Sequence, residues 1–417
     1  MVTSWPKQYL VRVTFMNTSF FSTIETALPD PILGVTEAFR ADPSPDKVNL
    51  GVGIYQDGTG AVPLLACVKE AAKRWLAQED TKAYLPIDGV ASFNTATQHN
   101  LFGSASQALV EKRVATIQSV GGSGALKLGI EFIRLAFPQT NVYVSDPSWE
   151  NHRVLFEAAG AKVLTYPYYD PQTSGLRSDA MLETLRAVPS GSVILLHACC
   201  HNPTGVDIGK EEWDQVAEIC SQRGLIPFLD IAYQGFAVGL DEDAYPIRLF
   251  VDKGLTFLVA SSYAKSFALY RERAGALSVV TGSSKEAAAV TSQVKKIVRT
   301  IYSSPPSYGA QIVSIVLNDP TLREQWINEL SAMRTRIQEM RQHFVNELRV
   351  ALPNHDFSFI LKQRGMFSYS GLSAEIVREL RAKNHIYALE SGRICVASMN
   401  TKNVQYICKS IAEALSK

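Results

Sequence analysis

Lys265 stands in SSYAKSFALYRERAG (residues 261–275), after an apolar run and eight residues before Arg273. A lysine amine stripped of its proton by burial and neighbouring cations can attack an aldehyde and form an imine. Arg273 can hold an anion. Asp230 closes another apolar run, LIPFLD (225–230), where a carboxylate is costly without a partner. It suits a helix N-cap or a protonated heterocyclic nitrogen. GGSGALKLG (121–129) is a glycine turn opening a helix. Free N–H groups and the helix dipole at such a turn favour phosphate, although a plain strand-to-helix connection reads the same way. Trp149 and Asn202 follow two further apolar runs, and Tyr233 follows the run that Asp230 closes.

These residues need a common platform. Short apolar runs recur at VATIQSV (114–120), NVYVSD (141–146), KVLTYPY (162–168), SVILLHA (192–198), LIPFLD (225–230) and LTFLVAS (255–261). Helix-like stretches at 125–137, 151–160 and 211–224 separate several of them. Strands alternating with helices imply an α/β fold with a mostly parallel sheet covered on both faces. Ligands of such sheets bind beyond the carboxyl ends of the strands, which is where all of these residues fall. SDAMLETLRAV (178–188) reads as a surface helix and 320–348 as a long amphipathic one. FSFIL, GMFSYSGL, IYALE and RICVAS then read as short strands, before a last helix, NVQYICKSIAEALS. This end is an α+β module, and the segment 27–62 is expected to pack with it. The division expected is a large domain over 63–332, a small domain from 27–62 and 333–417, and an N-terminal extension over 1–26.

The totals exclude several functions. With 46% hydrophobic and 19% charged residues, the 417-residue chain can bury a large core. A net charge of +1 and scattered cations provide no field for nucleic acid or an anionic membrane. Six cysteines form no C-x-x-C pair, which favours neutral thiols in a reducing compartment, and no Cys/His cluster has metal-ligand spacing. No metal is expected, and no apolar run is long enough to span a membrane. The first 21 residues carry Lys7 and Arg12 and no acid. A weak transit peptide, a loose extension, or a start placed ahead of Met16 all fit. G-x-G-x-x-G fails because Lys127 stands at the third glycine, and G-x-x-x-x-G-K-[ST] is absent.

Aldehyde, phosphate and ring nitrogen together describe pyridoxal 5′-phosphate. HNPTG (201–205), DIAYQGF (230–236), SYAKSFALYRERAG (262–275) and SGRICVAS (391–398) resemble the aspartate/aromatic aminotransferases, a fold-type I class of pyridoxal-phosphate enzymes. The resemblance runs from about Asp30 to the C-terminus. It implies a seven-stranded, mostly parallel sheet in the large domain and a homodimer with shared active sites. It implies that Lys265 forms the Schiff base and shuttles the proton between Cα and C4′. Asp230 keeps the pyridine nitrogen protonated, with His152 behind it. Tyr233 and Asn202 serve the ring's phenolic oxygen, and Trp149 stacks on the ring. Gly122, Ser123, Ser262 and Arg273 form the phosphate cradle, joined by Tyr84 from the neighbouring subunit. Arg393 takes the substrate α-carboxylate, and Arg299 reaches across the dimer to a side-chain carboxylate. Gly53 and Ile32–Val35 contact substrate, and the Asn202–Pro203 bond is cis.

The sequence departs from the family at Ala264 and Gly121, where serine is common, and at Ser123 and Ser304, where dicarboxylate-specific members carry threonine and asparagine. TIQSVGGSGALK, CCHNPTG, FLDIAYQGF and YSSPPSYGAQIV look most like the bacterial aromatic amino acid aminotransferases. Ile54 and Val62 are expected to add apolar lining. The expectation is a cytoplasmic transaminase of tyrosine, phenylalanine and aspartate with 2-oxoglutarate. A strict aspartate aminotransferase is the alternative, and product analysis separates either from decarboxylation or β-elimination.

Overall fold

The structure is a computed structural model that describes residues 19–26 and 33–416. The leader-like stretch up to residue 18, and Ile32, lie outside the described residues.

Seven strands build the main sheet: β1 (Val114–Val120), β2 (Asn141–Asp146), β3 (Lys162–Pro167), β4 (Val193–His197), β5 (Ile226–Ile231), β6 (Phe257–Ser262) and β7 (Ala274–Val280). Their spatial order is β1-β7-β6-β5-β4-β2-β3. Every pairing is parallel except those of β7, which runs antiparallel to β1 and β6. Every residue of β4, β6 and β7 is buried, because helices cover both faces and leave no wet side for polar alternation.

The first six strands start and end within two residues of the apolar runs seen in the sequence. β7 was not among those runs. Its sequence, AGALSVV, is weak in β-branched residues. Close packing explains the small side chains: a Cβ on Gly275 would lie 2.5 Å from the backbone carbonyl carbon of Gly121. The antiparallel course of β7 matters for function. The chain turns back after β6, so β7 begins, with Arg273 just before it, at the edge where the parallel strands end.

Four helices position the site: α1 (Gly121–Ala136), α2 (Glu150–Glu157), α3 (Ser284–Ile301) and α4 (Pro320–Ala351). Ser283 caps α3 by accepting the Glu286 N–H at 3.2 Å. Asp319 caps α4 by accepting the Leu322 N–H at 2.9 Å, with Pro320 in the first turn. With 32 residues, α4 is about 48 Å long. Leu322, Trp326, Leu330, Met333, Ile337, Met340, Phe344 and Leu348 form its buried stripe at three- and four-residue spacing. Trp326 donates its indole N–H to the Ser266 carbonyl at 2.8 Å and stacks on Phe267 at 4.5 Å. The segment after Lys265 is thereby clamped to the longest helix.

The C-terminal strands are shorter than expected. FSFIL is a 3-10 turn over Ser358–Lys362 instead of a strand. Asp356 causes this by accepting both the Ser358 N–H (2.8 Å) and its hydroxyl (2.9 Å), which bends the chain. Phe367–Tyr369 pairs antiparallel with Arg393–Cys395, and RICVAS then coils into a 3-10 turn at Val396–Ser398. Val48–Asn49 pairs in parallel with Ile386–Tyr387, which joins this stretch to the C-terminal elements. The segment 27–62 also holds a helix, Leu33–Ala41, which the sequence reading had not anticipated.

Candidate active site

The carboxyl edge of the sheet opens into a cavity of about 360 Å³. Gly122, Ser123, Trp149, Asn202, Asp230, Tyr233, Ser262, Lys265, Arg273 and Arg393 line it, together with Gly53. All were singled out in the sequence, and five separate strand ends deliver most of them.

Lys265 points its ammonium nitrogen over the Tyr233 ring, 4.8 Å from the centroid. Burial lowers its pKa from 10.5 to about 8, assisted by Arg273 and Arg393 and opposed by Asp230. The amine is therefore far easier to deprotonate than a surface lysine. Asp230 sits inside β5, 6% exposed. Burial alone would raise its pKa, but the His152 hydrogen bond and the nearby positive charge of Lys265 help outweigh burial and hold it below the ordinary value. His152 Nε2 lies 3.0 Å from Asp230 Oδ2, and His152 Nδ1 lies 2.9 Å from the Ser148 hydroxyl. The chain from Ser148 through His152 to Asp230 keeps a charged carboxylate facing the cavity. His152 stands behind Asp230 and not in the wall.

The anion seat forms where β1 runs into α1. No side chain caps this helix; the Gly121 N–H donates to the Arg273 carbonyl at 2.8 Å, and Gly122 and Ser123 bring the first turn, where helix N–H groups favour an anion, to the cavity wall. Gly121 has φ +67°, and a Cβ there would lie 2.6 Å from Arg273 Nη2; a Cβ on Gly122 would lie 3.1 Å from Ser262 Cβ. The glycines thus let the arginine and serine close on the helix terminus. Arg273 anchors itself by donating to the Tyr270 carbonyl at 2.9 Å.

Arg393 holds the opposite end. It is 1% exposed and lies 4.2 Å over the Phe367 ring. It donates to Asn202 Oδ1 at 2.9 Å and to the Gly51 carbonyl at 2.6 Å. Its buried Nε has no partner, as expected for a cation awaiting a carboxylate. Asn202 precedes a cis proline bond, as does Asp146.

Two expected residues stay outside this cavity. Tyr84 is 96% exposed, and Arg299 lies on the exposed side of α3. Neither lines the cavity of the single chain. Ile54 and Val62 are not in its wall either. Val62 is 46% exposed, and the Ile54 carbonyl accepts the Ser398 hydroxyl at 3.0 Å. Phe367, Leu126 and Trp149 supply the apolar lining instead.

Phe367 and His197 were missed. Phe367 meets Tyr233 edge-on at 6.0 Å, and its only signal was an aromatic inside GMFSYSGL. His197 ends β4 beside Asp230 in the sheet register. Burial pushes its pKa down to about 3, and its Nε2 has no partner. The ligating atoms of His152, His197 and Asp230 lie within 4.8 Å of one another. A metal is disfavoured there because His152 already spends both ring nitrogens on Ser148 and Asp230.

Residues 45–411 match the family model "Aminotransferase class I and II". An aspartate aminotransferase of Pseudomonas aeruginosa is 51% identical over 95% of this chain and 100% of its own length. An aromatic-amino-acid aminotransferase of Escherichia coli is 48% identical over the same shares. Among solved structures, the aromatic-amino-acid aminotransferase of Burkholderia pseudomallei, covalently bound to pyridoxal phosphate, superposes with a TM-score of 0.93. It shares 50% identity and covers 95% of this chain and 100% of that one. The chain belongs to the aminotransferase class I and II family and is an aminotransferase.

Proposed function

We propose that the protein is a pyridoxal-phosphate-dependent transaminase that moves the amino group of tyrosine, phenylalanine and aspartate to 2-oxoglutarate in two half-reactions. The convergence of Lys265, Asp230 and Arg393 on one cavity carries this reading. Lys265 holds the cofactor aldehyde, and Asp230, backed by His152, holds the pyridine nitrogen. Trp149 would lie against the ring, and Asn202 and Tyr233, which line the same cavity, would donate to its phenolic oxygen. Gly122, Ser123, Ser262 and Arg273 hold the phosphate. When bound, pyridoxal phosphate supplies an electron sink for charge developing at the substrate Cα.

The chain's own groups do the rest. Arg393 binds the α-carboxylate and, with Asn202, fixes the orientation of Cα. Gly53 leaves room for substrate beside Phe367: a Cβ there would lie 2.5 Å from the Phe367 ring. Lys265 Nζ takes the proton from Cα, and its lowered pKa keeps a neutral amine available near pH 8. The apolar wall suits an aromatic side chain, whereas Arg299 suits a carboxylate.

We assign Tyr84 and Arg299 to the site of a second copy in a homodimer. Exposed Phe20, Phe21 and Ile24 support this, since 69–92% exposure of such side chains favours a covering partner. The working domain division remains 63–332 against 27–62 with 333–417, and the proposed compartment is the cytoplasm. Among the described residues, no helix is long and apolar enough to cross a membrane.

The test is a single turnover without oxo acid. Phenylalanine, tyrosine and aspartate are each mixed with holoenzyme, and released oxo acid is counted per site. Release from both substrate classes is expected. Release from aspartate alone would reduce the protein to a strict aspartate aminotransferase, and decarboxylated or eliminated products would refute transamination.

A further inference from the structure

A second cavity, of about 730 Å³, lies away from the site, where α4 meets the loops at 236–238 and 361–365. Its walls carry four cations, Arg334, Arg341, Lys362 and Arg364, and no acidic residue. That imbalance is local, because the chain as a whole has 41 basic and 40 acidic residues.

Arg341 is the most informative of the four. It is only 3% exposed, and its donors reach neutral acceptors alone. Nη2 gives to the Gly365 carbonyl at 2.7 Å and the Phe367 carbonyl at 3.2 Å, and Nε gives to the Ser368 hydroxyl at 3.3 Å. A guanidinium taken out of water is costly, and Arg341 bonds no carboxylate directly; the buried Asp207 acts on it only at a distance. Arg334 likewise gives to the Gly235 carbonyl (2.8 Å) and the Ser331 hydroxyl (3.0 Å). Lys362 and Arg364 stand exposed at the rim. Lys362 and Arg364 also border the neighbouring cavity, where Lys210 joins them and Asp207, Glu212, Glu242 and Asp243 offset their charge, so an anion is favoured on the α4 side, where no acid lines the wall.

We propose that this cavity is a binding site for a small polyanion, held between Arg334 and Arg341 on α4 and Lys362 and Arg364 opposite. Phosphoryl and carboxylate groups satisfy the same forked donors. The walls connect to the active site. The Arg364 N–H donates to the Gly205 carbonyl at 2.7 Å, at the end of the loop that carries Asn202. Arg341 grips the Phe367 carbonyl, and the Phe367 ring underlies Arg393. The site is therefore separate from the catalytic cavity but shares its scaffold.

Calorimetric titration of holoenzyme at fixed ionic strength, once with pyrophosphate and once with citrate, tests the proposal. The cofactor fills the catalytic phosphate seat, and carboxylate binding at Arg393 is told apart by its indifference to the rim variants below. Saturable binding of at least one probe is expected, and the tighter probe identifies the anion class. Lys362→Glu/Arg364→Glu, both at exposed positions, should weaken that binding by about a hundredfold or more, at roughly tenfold for each charged hydrogen bond lost. Gln338→Glu, which adds an acid to the wall from an exposed position, should weaken it as well. No saturable binding of either probe to the unmodified protein would overturn the proposal. So would equal binding by both variants.

Discussion

Replacing Arg393 by glutamine tests how the site grips its substrate. The guanidinium spends one terminal nitrogen on Asn202 and the other on Gly51, and its Nε is buried without a partner. A bound α-carboxylate would gain two charge-assisted hydrogen bonds, worth about 1.5–3 kcal/mol each. The expected loss of about 3–6 kcal/mol corresponds to a fall of roughly 10²–10⁴ in kcat/KM. Folding should suffer less than activity, because the substitution removes a buried cation that pairs with no carboxylate directly and is costly to bury. Lysine should fall between arginine and glutamine, since it keeps the charge and loses the fork. The assay is steady-state kinetics with aspartate and with phenylalanine. Both must fall by a similar factor, because every amino acid carries the α-carboxylate. A loss below about fivefold, set against the hundredfold expected from two such bonds, would refute the reasoning. A loss confined to one substrate class would refute it equally.

Other consequences follow from the same geometry. In cofactor-free protein, reductive labelling of Lys265 by an aldehyde should rise with pH with a midpoint near 8, not 10.5, and Asp230→Asn should move the midpoint lower. Between those two values the unfolded chain holds a proton that the folded chain has lost, so stability of the cofactor-free protein should rise with pH across the window; denaturant melts that stay flat would contradict this. Gly129→Ala adds about 1 kcal/mol of helix propensity, but its Cβ would lie 2.4 Å from the ring of fully buried Phe228. Overpacking should win by about 1–3 kcal/mol in urea unfolding, and a more stable variant would show that the core yields. Asp319→Ala should cost about 1 kcal/mol of thermal stability through loss of the α4 cap, with little added by the exposed Arg74 pair.

The sequence made the parallel part of the fold legible because doubly covered strands are written as uninterrupted apolar runs. β7 escaped because close packing on Gly121 demands glycine, alanine and serine, which weaken the strand signal. FSFIL misled for the converse reason: its apolar residues suggest a strand, but Asp356 turns the chain first. The residues of the cavity could be read where chemistry needs a distinctive type directly after an apolar run, as at Asp230 and Lys265. Phe367 could not, because an aromatic in a short strand has the look of core. His197 could not either, since its place beside Asp230 depends on a sheet register that composition does not encode. Tyr84 and Arg299 lie outside the cavity of the single chain, so their place in a site cannot be read from it.

The central claim is that Lys265 carries the cofactor. Borohydride reduction of the holoenzyme, followed by proteolysis and mass spectrometry, tests it most directly. The account predicts a phosphopyridoxyl group on Lys265 and on no other lysine. Its appearance on a different lysine, with Lys265 unmodified, would contradict the account.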